Sequence, residues 1–263
     1  MRVEDVTDYF KLRRFTANPA EIVRFRTRHH AGDRLCVQFL HAPPVDIRGG
    51  CADFHMFHRI FLRDEYRLNG LSDLSCVMDL GANVGMFSTR AAMIARRVIA
   101  FEPFPANFES LRKNVANRPN VEAVCEAIAG EPGSLRLFRP RFAEMTGAVS
   151  SFSDTGLLDT TEYDEVPATT LDAAFERFNV ASCDLMKVDI EGQEYEVLHA
   201  ASEETLSRIQ RIYGEYHDVR PEDPRTRIEA FTKFLKSRGF NADVIPHRKK
   251  SNHGMFYAVR AGA

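Results

Sequence analysis

The chain has 263 residues, of which 44% are hydrophobic and 27% are charged. This length can bury the core of one large α/β domain, and the composition is typical of a soluble globular protein. The formal net charge of -2 gives no general attraction to nucleic acid or to an anionic membrane surface. No apolar run approaches the roughly 20 residues that a membrane-spanning helix needs.

The cysteines and the N-terminus indicate a cytoplasmic protein. Five cysteines lie far apart in the sequence and form no CxxC pair, which predicts reduced thiols and argues against a structural zinc site. The N-terminus mixes acidic and basic residues and has no apolar segment, so no signal peptide is predicted. The first residues carry no recognisable motif. We predict that 1–45 form a helical N-terminal extension and that 46–263 form the main domain.

The stretch HMFHRI, from His55 to Ile60, contains two histidines at helical spacing. Such a pair can bind a metal, but the apolar Phe57 and Ile60 favour an amphipathic helix. We therefore expect His55 and His58 on the polar face of a helix or at the rim of a substrate site.

From residue 76 onwards, apolar strands alternate with helical segments. We predict strands at 76–80, 98–103, 120–129, 183–192 and 211–219, and helices at 85–97, 105–119, 169–180, 193–209 and 223–239. Residues 133–140 predict a short hairpin element, and 240–246 with 254–261 predict an antiparallel pair. The predicted fold is α/β: a doubly wound, mostly parallel, seven-stranded sheet with helices on both faces and an antiparallel C-terminal strand pair.

A glycine turn joins the first of these strands to its helix, with the pattern Asp79-x-Gly81-x-Asn83-x-Gly85. Such a turn is built to hold a ligand, and Glu102, at the end of the next strand, suits the two hydroxyls of a ribose. A dinucleotide, a nucleotide and S-adenosylmethionine are the candidate ligands. The spacing differs from Gly-x-Gly-x-x-Gly, and the acid Asp79 would repel a pyrophosphate but suit a sulfonium, so we favour S-adenosylmethionine. We expect Glu102 to be open to solvent when no ligand is bound.

Candidate catalytic residues lie at the ends of two later strands. Asp189 and Glu191 end one strand, and Glu215 and His217 lie on the same face of the next. We expect Asp189 to face the cofactor cleft and His217 to act as a general base that Glu215 orients. The same residues could instead hold a divalent cation, which we do not favour because no dense set of Asp and Asn ligands is present. Glu191 could equally cap the next helix, and Lys187 is expected to be an ion-pair partner.

Four stretches in this order carry a family resemblance: DLGANVGMFS, FEPFPANFESLRKN, LMKVDIEGQEYEVL and GEYHD. Together they resemble the FkbM family of S-adenosylmethionine-dependent methyltransferases, from about Val45 to the C-terminal strand. The resemblance implies a class I Rossmann-like methyltransferase fold. It also implies methyl transfer, typically to a hydroxyl of a sugar or a secondary metabolite.

The resemblance implies a cofactor site whose residues follow the glycine turn and the next strands. The glycines and Asn83 would line the cofactor loop, Asp79 would lie near the methionine end, and Glu102 would bind the ribose. Glu126 and Ala127 would contact the adenine, although Glu126 could also be a solvated loop acid. The full set is Asp79, Gly81, Asn83, Gly85, Glu102, Glu126, Ala127 and Asp189.

Two other functional classes stay open from the sequence: an NAD-binding oxidoreductase and a non-catalytic binding module of the same fold. As partner we expect a small hydroxylated substrate, with neither nucleic acid nor membrane. The sequence does not define the acceptor or the oligomeric state.

Overall fold

The computed structural model describes residues 3–140, 158–218, 223, 226–247 and 252–262. Residues 219, 224 and 225, which belong to two predicted elements, lie outside this part of the chain. The helices are α1 (Val3–Leu12), α2 (Pro19–Arg28), α3 (Asp53–Phe57), α4 (Met86–Ala91), α5 (Pro105–Val115), α6 (Leu171–Arg177), α7 (Glu194–Ala200), α8 (Glu203–Ser207) and α9 (Ile228–Ser237). A π-helical turn, His58–Leu62, follows α3 directly.

The strands are β1 (Arg34–Val37), β2 (Val45–Arg48), β3 (Leu74–Leu80), β4 (Ala95–Phe101), β5 (Val121–Val124), β6 (Ala127–Ile128), β7 (Gly133–Pro140), β8 (Leu158–Thr169), β9 (Leu185–Val188), β10 (Arg211–His217), β11 (Phe240–Pro246) and β12 (His253–Arg260). Seven of them form the central sheet, in the order β11-β12-β10-β9-β3-β4-β5. Strands β5, β4, β3, β9 and β10 are parallel, and β12 is antiparallel to both β10 and β11. This arrangement confirms the predicted fold.

The chain winds outward from β3 to β5 and then returns to the other side of β3 for β9 and β10. Ligands of open α/β sheets bind beyond the carboxyl ends of the strands at the point where the winding direction changes. Here that point is the pair β3 and β9. The turn after β3 and the segment after β9 therefore meet at one end of the sheet.

The strands are apolar on both faces because helices cover both. In β3, Met78 and Leu80 join one buried cluster and Val77 joins the other, since successive side chains of a strand point to opposite faces. Side chains of α6, α7 and α9 complete the first cluster. Side chains of α1, α2, α3 and α4 complete the second. No helix in the described part of the chain is both long and apolar enough to cross a membrane.

The N-terminal segment packs against the second face of the sheet. Helices α1 and α2 bury Leu12 and Ile22 in the same cluster as Val77, and β1 pairs with β2 in an antiparallel ribbon. The carboxylate of Asp8 in α1 accepts hydrogen bonds from Arg26 and from His58 of the π-helical turn, both about 3 Å away. The division of the chain at residue 45 stays a prediction.

Most predicted elements differ from the structure by a few residues at their boundaries, and three larger differences have a clear physical reason. The helix predicted to reach residue 97 ends at Ala91, because the chain from Ala95 onwards pairs with β3 and tertiary contacts override helix propensity. The helix predicted at 193–209 is divided at Ser202, whose hydroxyl caps α8. The strand predicted at 120–129 is also divided, since Ala127 and Ile128 pair with β8 in a separate sheet of β6, β8 and β7.

Candidate active site

The glycine turn after β3 depends on three residues with left-handed backbone conformation. The φ angles are +78° at Gly81, +52° at Asn83 and +85° at Gly85. A Cβ atom at Gly81 would lie 1.9 Å from the carbonyl oxygen of Asp189. The segment after β9 packs directly against the turn and leaves no room for a side chain at Gly81.

Asp79 lies beneath this turn and is fully buried. Its Oδ1 accepts a hydrogen bond from Lys187 Nζ at 3.0 Å, and its Oδ2 accepts one from Ser88 at 2.5 Å. Lys187 also donates to the carbonyl oxygen of Gly81 at 2.8 Å. The ion-pair role that we predicted for Lys187 is thus confirmed. Both oxygens of Asp79 are therefore engaged within the protein. Lys187 neutralises the charge of Asp79, and together the two residues support the glycine turn from below.

Glu102 follows β4 and connects two loops. Its two carboxylate oxygens accept hydrogen bonds from the backbone N–H groups of Asn83, at 2.7 Å, and Phe104, at 3.0 Å. The residue is only 5% exposed, and burial raises its pKa to about 7. Our expectation that Glu102 is open to solvent was therefore wrong, because the loops that it joins close around it.

A narrow cleft, too small as it stands to hold a bound molecule, lies beside the glycine turn. It lies between the turn, the start of α4 and the helical segment of α3 and the π-helical turn. Its lining is largely apolar and consists of Met56, Ile60, Ala82, Asn83, Val84, Met86, Phe87 and Lys187.

Glu126 and Ala127 lie away from the lining of this cleft. The carboxylate of Glu126 accepts hydrogen bonds from Arg177, the shorter at 2.7 Å. The side chain of Ala127 is buried in the small sheet, against Leu137 and Val166. An adenine contact for these two residues stays a prediction.

The structure brings together the three predicted catalytic residues Asp189, Glu215 and His217. They lie at the adjoining ends of β9 and β10, and one nitrogen or oxygen atom from each lies within 4.8 Å of the others. Parallel neighbouring strands end at the same edge of a sheet, so the proximity follows from the fold.

The partner that orients His217 differs from our expectation. His217 Nδ1 lies 3.0 Å from Glu194 Oε1, and Nε2 lies 3.8 Å from Glu191. Glu215, which we expected to hold the ring, accepts a hydrogen bond from Arg59 instead. Burial alone would lower the pKa of His217, but the charges of Glu194 and Glu191 outweigh it and hold the pKa well above its usual range. The neighbouring carboxylates therefore favour the protonated form of the ring.

Glu194 was missed by the sequence analysis, although it organises this part of the site. It is fully buried in the first turn of α7, and it accepts hydrogen bonds from the backbone N–H groups of Ile190 and Gly192 at 3.0 Å. These bonds shape the loop in which Glu191 adopts a left-handed φ of +53°. Burial, assisted by Asp189, raises the pKa of Glu191 to about 8 against the opposing charge of His217.

Two further side chains reach the site from the segment before the glycine turn. Arg59, on the π-helical turn, donates to Glu215 Oε2 at 2.6 Å and also bonds Glu65. Tyr66 is buried and donates its hydroxyl to Asp189 at 2.7 Å. Burial opposes ionisation of Asp189, but the charges of Lys187 and Arg59 outweigh it and lower the pKa of that carboxyl. π-Helical turns are frequent at functional sites, but no sequence signal marks this one.

A doubly wound sheet with this glycine turn and a carboxylate after the next strand defines the class I methyltransferase fold. Residues 79–242 match the family model described as the methyltransferase FkbM domain, and the chain belongs to this family. The crystal structure of a methyltransferase FkbM from Methylobacillus flagellatus KT shares the fold, with a TM-score of 0.50 at 13% identity. The superposition covers 97% of this chain and 59% of that one.

Curated relatives are similar over most of the chain. The 31-O-demethyl-FK506 methyltransferase FkbM of Streptomyces tacrolimicus is 28% identical over 207 residues, which cover 68% of this chain and 79% of that protein. Methyltransferase 1 of Beauveria bassiana is 28% identical over 203 residues, which cover 70% of this chain and 80% of that protein. The AMB antimetabolite synthetase AmbE of Pseudomonas aeruginosa is 24% identical over 247 residues. These residues cover 79% of this chain but only 12% of AmbE.

The contact at Gly81 predicts a loss of stability that exceeds ordinary left-handed strain. Gly81→Ala should destabilise the fold clearly more than Gly70→Ala, because both positions have positive φ but a Cβ at Gly70 meets open space. Strain alone costs about 1–2 kcal/mol, and we expect at least roughly twice this loss at Gly81. Urea unfolding of both variants measures the difference. Equal losses would show that the segment after β9 moves aside.

The buried pair beneath the turn predicts a second stability effect. Lys187→Met leaves the Asp79 carboxylate buried and without its cation, so we expect a loss of roughly 3–5 kcal/mol in the free energy of unfolding. Replacing both residues, as Asp79→Leu with Lys187→Met, should recover part of this loss. The control is Arg96→Gln, which breaks an exposed ion pair with Asp73 and should cost under about 1 kcal/mol. If Arg96→Gln lowers the free energy of unfolding as much as Lys187→Met, burial of the Asp79–Lys187 pair does not increase its importance for stability.

Proposed function

We propose that this chain is an S-adenosylmethionine-dependent O-methyltransferase that acts on a hydroxyl of a small metabolite or sugar unit. The observation that carries the proposal is the meeting of two features at one end of the sheet. The glycine turn with Glu102 suits a nucleoside, and the group of Asp189, Glu215 and His217 lies beside it at the next strand ends.

The residues around the turn fit the cofactor. Asn83 and Gly85 have left-handed backbone conformations in the turn, and the narrow cleft beside it has a largely apolar lining. Glu102 would bind the ribose hydroxyls from its position against the turn. The bound cofactor supplies an electrophilic methyl group on a sulfonium. A site of this kind accelerates transfer mainly by holding the acceptor oxygen in line with that methyl group.

The relatives support a small hydroxylated acceptor. One relative is named for its action on 31-O-demethyl-FK506. Two others, which match similar shares of this chain, are named as methyltransferases. Membership of the family sets aside the oxidoreductase alternative. Action on a small hydroxylated molecule and a cytoplasmic location remain our proposals.

A hydroxyl has a high pKa, so a base must remove its proton. Asp189 is a weak base, because its pKa is lowered and it already accepts a hydrogen bond from Tyr66. Glu215 is held by Arg59. The pair of His217 and Glu191, 3.8 Å apart, is a better proton acceptor once His217 has lost its own proton. We therefore assign proton removal to this pair.

A divalent cation is the second way to activate the hydroxyl. Asp189, Glu215 and His217 could supply its ligands, since their atoms lie within 4.8 Å of one another. We favour a site without metal, because Arg59 already places a positive charge against Glu215.

The first functional prediction concerns cofactor affinity. Calorimetry should show micromolar binding of S-adenosylmethionine, and Glu102→Gln should weaken it by roughly 1.5–3 kcal/mol through loss of a charged hydrogen-bond acceptor. Because Glu102 also joins two loops, the variant should lose some thermal stability. The matched control is Glu122→Gln at an exposed residue of β5, which should leave affinity unchanged. Unaltered affinity in Glu102→Gln would remove this residue from the cofactor site.

The second functional prediction concerns proton removal. His217→Gln should lower turnover by roughly 10²–10⁴-fold while cofactor affinity is retained. In the unaltered protein, activity should rise with pH through a midpoint above 6.5, the ordinary imidazole value, because the raised pKa delays loss of the proton. The assay follows transfer of a labelled methyl group to 31-O-demethyl-FK506 and to methyl glucosides.

Chelation separates the two mechanisms in the same assay. With the His217–Glu191 pair as base, EDTA should leave turnover unchanged. Loss of activity in EDTA, with recovery on added magnesium, would support the cation instead. Near-normal turnover of His217→Gln in EDTA would contradict both.

A further inference from the structure

Tyr66 is a buried residue that precedes the glycine turn in the chain and contacts the segment after β9. It is 1% exposed, and its hydroxyl donates to Asp189 Oδ2 at 2.7 Å. Its ring packs edge-on against that of Phe87, with ring centroids 5.3 Å apart. Phe87 belongs to the lining of the narrow cleft. The hydroxyl of Tyr66 therefore holds one carboxylate while its ring packs against a wall of the cleft.

The backbone on both sides of Tyr66 adopts an unfavourable conformation. The φ angles are +51° at Asp64 and +49° at Arg67, and this left-handed region is uncommon for residues that carry side chains. The carboxylate of Asp64 accepts hydrogen bonds from the backbone N–H groups of Leu68, at 2.7 Å, and Asn69, at 3.0 Å. These bonds hold the turn from which the Tyr66 side chain enters the interior. Strained backbone of this kind is concentrated at functional sites, so we looked for a role for Tyr66 there.

The backbone of Asp189 is fixed against the glycine turn. Its N–H donates to the carbonyl oxygen of Leu80 at 3.2 Å, and its own carbonyl oxygen lies 1.9 Å from where a Cβ atom of Gly81 would be. An aspartate side chain still rotates about two bonds, so a fixed backbone does not by itself direct its carboxylate. The hydrogen bond from Tyr66 supplies that direction. Because a carboxylate has about four sites that accept hydrogen bonds, Asp189 can accept others while Tyr66 holds it.

Asp189 is the carboxylate beside the turn that suits the amino group of the cofactor. The amino-acid part of S-adenosylmethionine carries an ammonium group, and carboxylates accept strong hydrogen bonds from such groups. The sequence predicts Asp79 near this end of the cofactor, but both oxygens of Asp79 are engaged beneath the turn. Those of Glu102 accept from two backbone N–H groups and face the ribose in the proposed site. Asp189 adjoins the same turn and is only partly buried, so a ligand can reach it.

Resting on the proposed function, we infer that Tyr66 is a positioning residue of the cofactor site: its hydroxyl holds the carboxylate of Asp189 where that carboxylate accepts a hydrogen bond from the cofactor's ammonium group. Tyr66 acts through Asp189 and leaves the nucleoside part of the cofactor to the glycine turn and Glu102. It precedes residue 79, where the match to the family model begins. A segment outside that match thus contributes to recognition of the cofactor's amino-acid part.

The experiment is calorimetric and needs no methyl acceptor. It compares two ligands that share the nucleoside and an uncharged sulfur: S-adenosylhomocysteine, which has the amino-acid part, and methylthioadenosine, which lacks it. Tyr66→Phe removes the hydroxyl and keeps the ring. We expect this variant to bind S-adenosylhomocysteine roughly three- to tenfold more weakly, as for loss of one hydrogen bond. Its affinity for methylthioadenosine should be unchanged, because that ligand has no ammonium group for Asp189 to bind.

A double-mutant cycle tests whether Tyr66 acts through Asp189. Asp189→Asn should weaken S-adenosylhomocysteine roughly tenfold or more, because a charged acceptor is lost. Adding Tyr66→Phe to Asp189→Asn should then cause little further loss, since no carboxylate remains to be directed.

The control for loss of a buried hydroxyl is Thr16→Val in the N-terminal segment. The Thr16 hydroxyl is buried and donates to the carbonyl oxygen of Leu12 at 2.9 Å. Thr16→Val should lower the melting temperature about as much as Tyr66→Phe, because each variant loses one buried hydrogen bond. It should leave the affinities for both ligands unchanged.

The outcomes separate the inference from the proposed function. If Tyr66→Phe leaves the affinity for S-adenosylhomocysteine unchanged, or weakens both ligands equally, the inference is overturned while the proposed cofactor stands. Additive losses in the double variant would also overturn it, since Tyr66 would then act independently of Asp189. Unchanged affinity in Asp189→Asn would do so irrespective of how Tyr66→Phe folds. If neither S-adenosylmethionine nor S-adenosylhomocysteine binds the unaltered protein, the proposed function itself is wrong.

Discussion

The contact between Asp79 and Lys187 is the interaction on which the rest of the site depends. It joins the ends of β3 and β9, the two strands between which the winding of the sheet reverses. A buried ion pair of this kind adds little net stability, but it becomes costly when one partner is lost. Lys187 donates a further hydrogen bond to the carbonyl oxygen of Gly81, so the pair also fixes the turn above it. The glycine turn and the segment after β9 are held together at this point.

Much of the fold could be read from the sequence, because strongly apolar strands alternate with helices and the sheet is buried on both faces. The glycine turn and its neighbours were also predictable, since a turn between a strand and a helix has few backbone solutions. Residues at adjoining strand ends, such as Asp189 and His217, could be placed together for the same reason. Predictions of this kind rest on local pattern and on sheet topology.

The remaining residues of the site depend on contacts that no local pattern encodes. Glu194 resembles any acid in the first turn of a helix, yet its carboxylate is buried between a loop and an imidazole. Arg59 lies in a stretch whose sequence predicts an amphipathic helix. The π-helical turn observed there directs the Arg59 side chain towards Glu215. Side-chain partners more than a hundred residues apart, such as Tyr66 and Asp189, require the tertiary structure.

The reach of Arg59 and Tyr66 into the site has a consequence for modularity. Both residues precede residue 79, where the match to the family model begins. The π-helical turn that carries Arg59 is in turn bound by Asp8 of the first helix. A module excised at the family boundaries would keep the turn and strands β4, β5, β9 and β10, but it would lose the guanidinium and the phenol that hold Glu215 and Asp189. A fragment that keeps these contacts therefore has to include the first helix as well as the region that matches the family model.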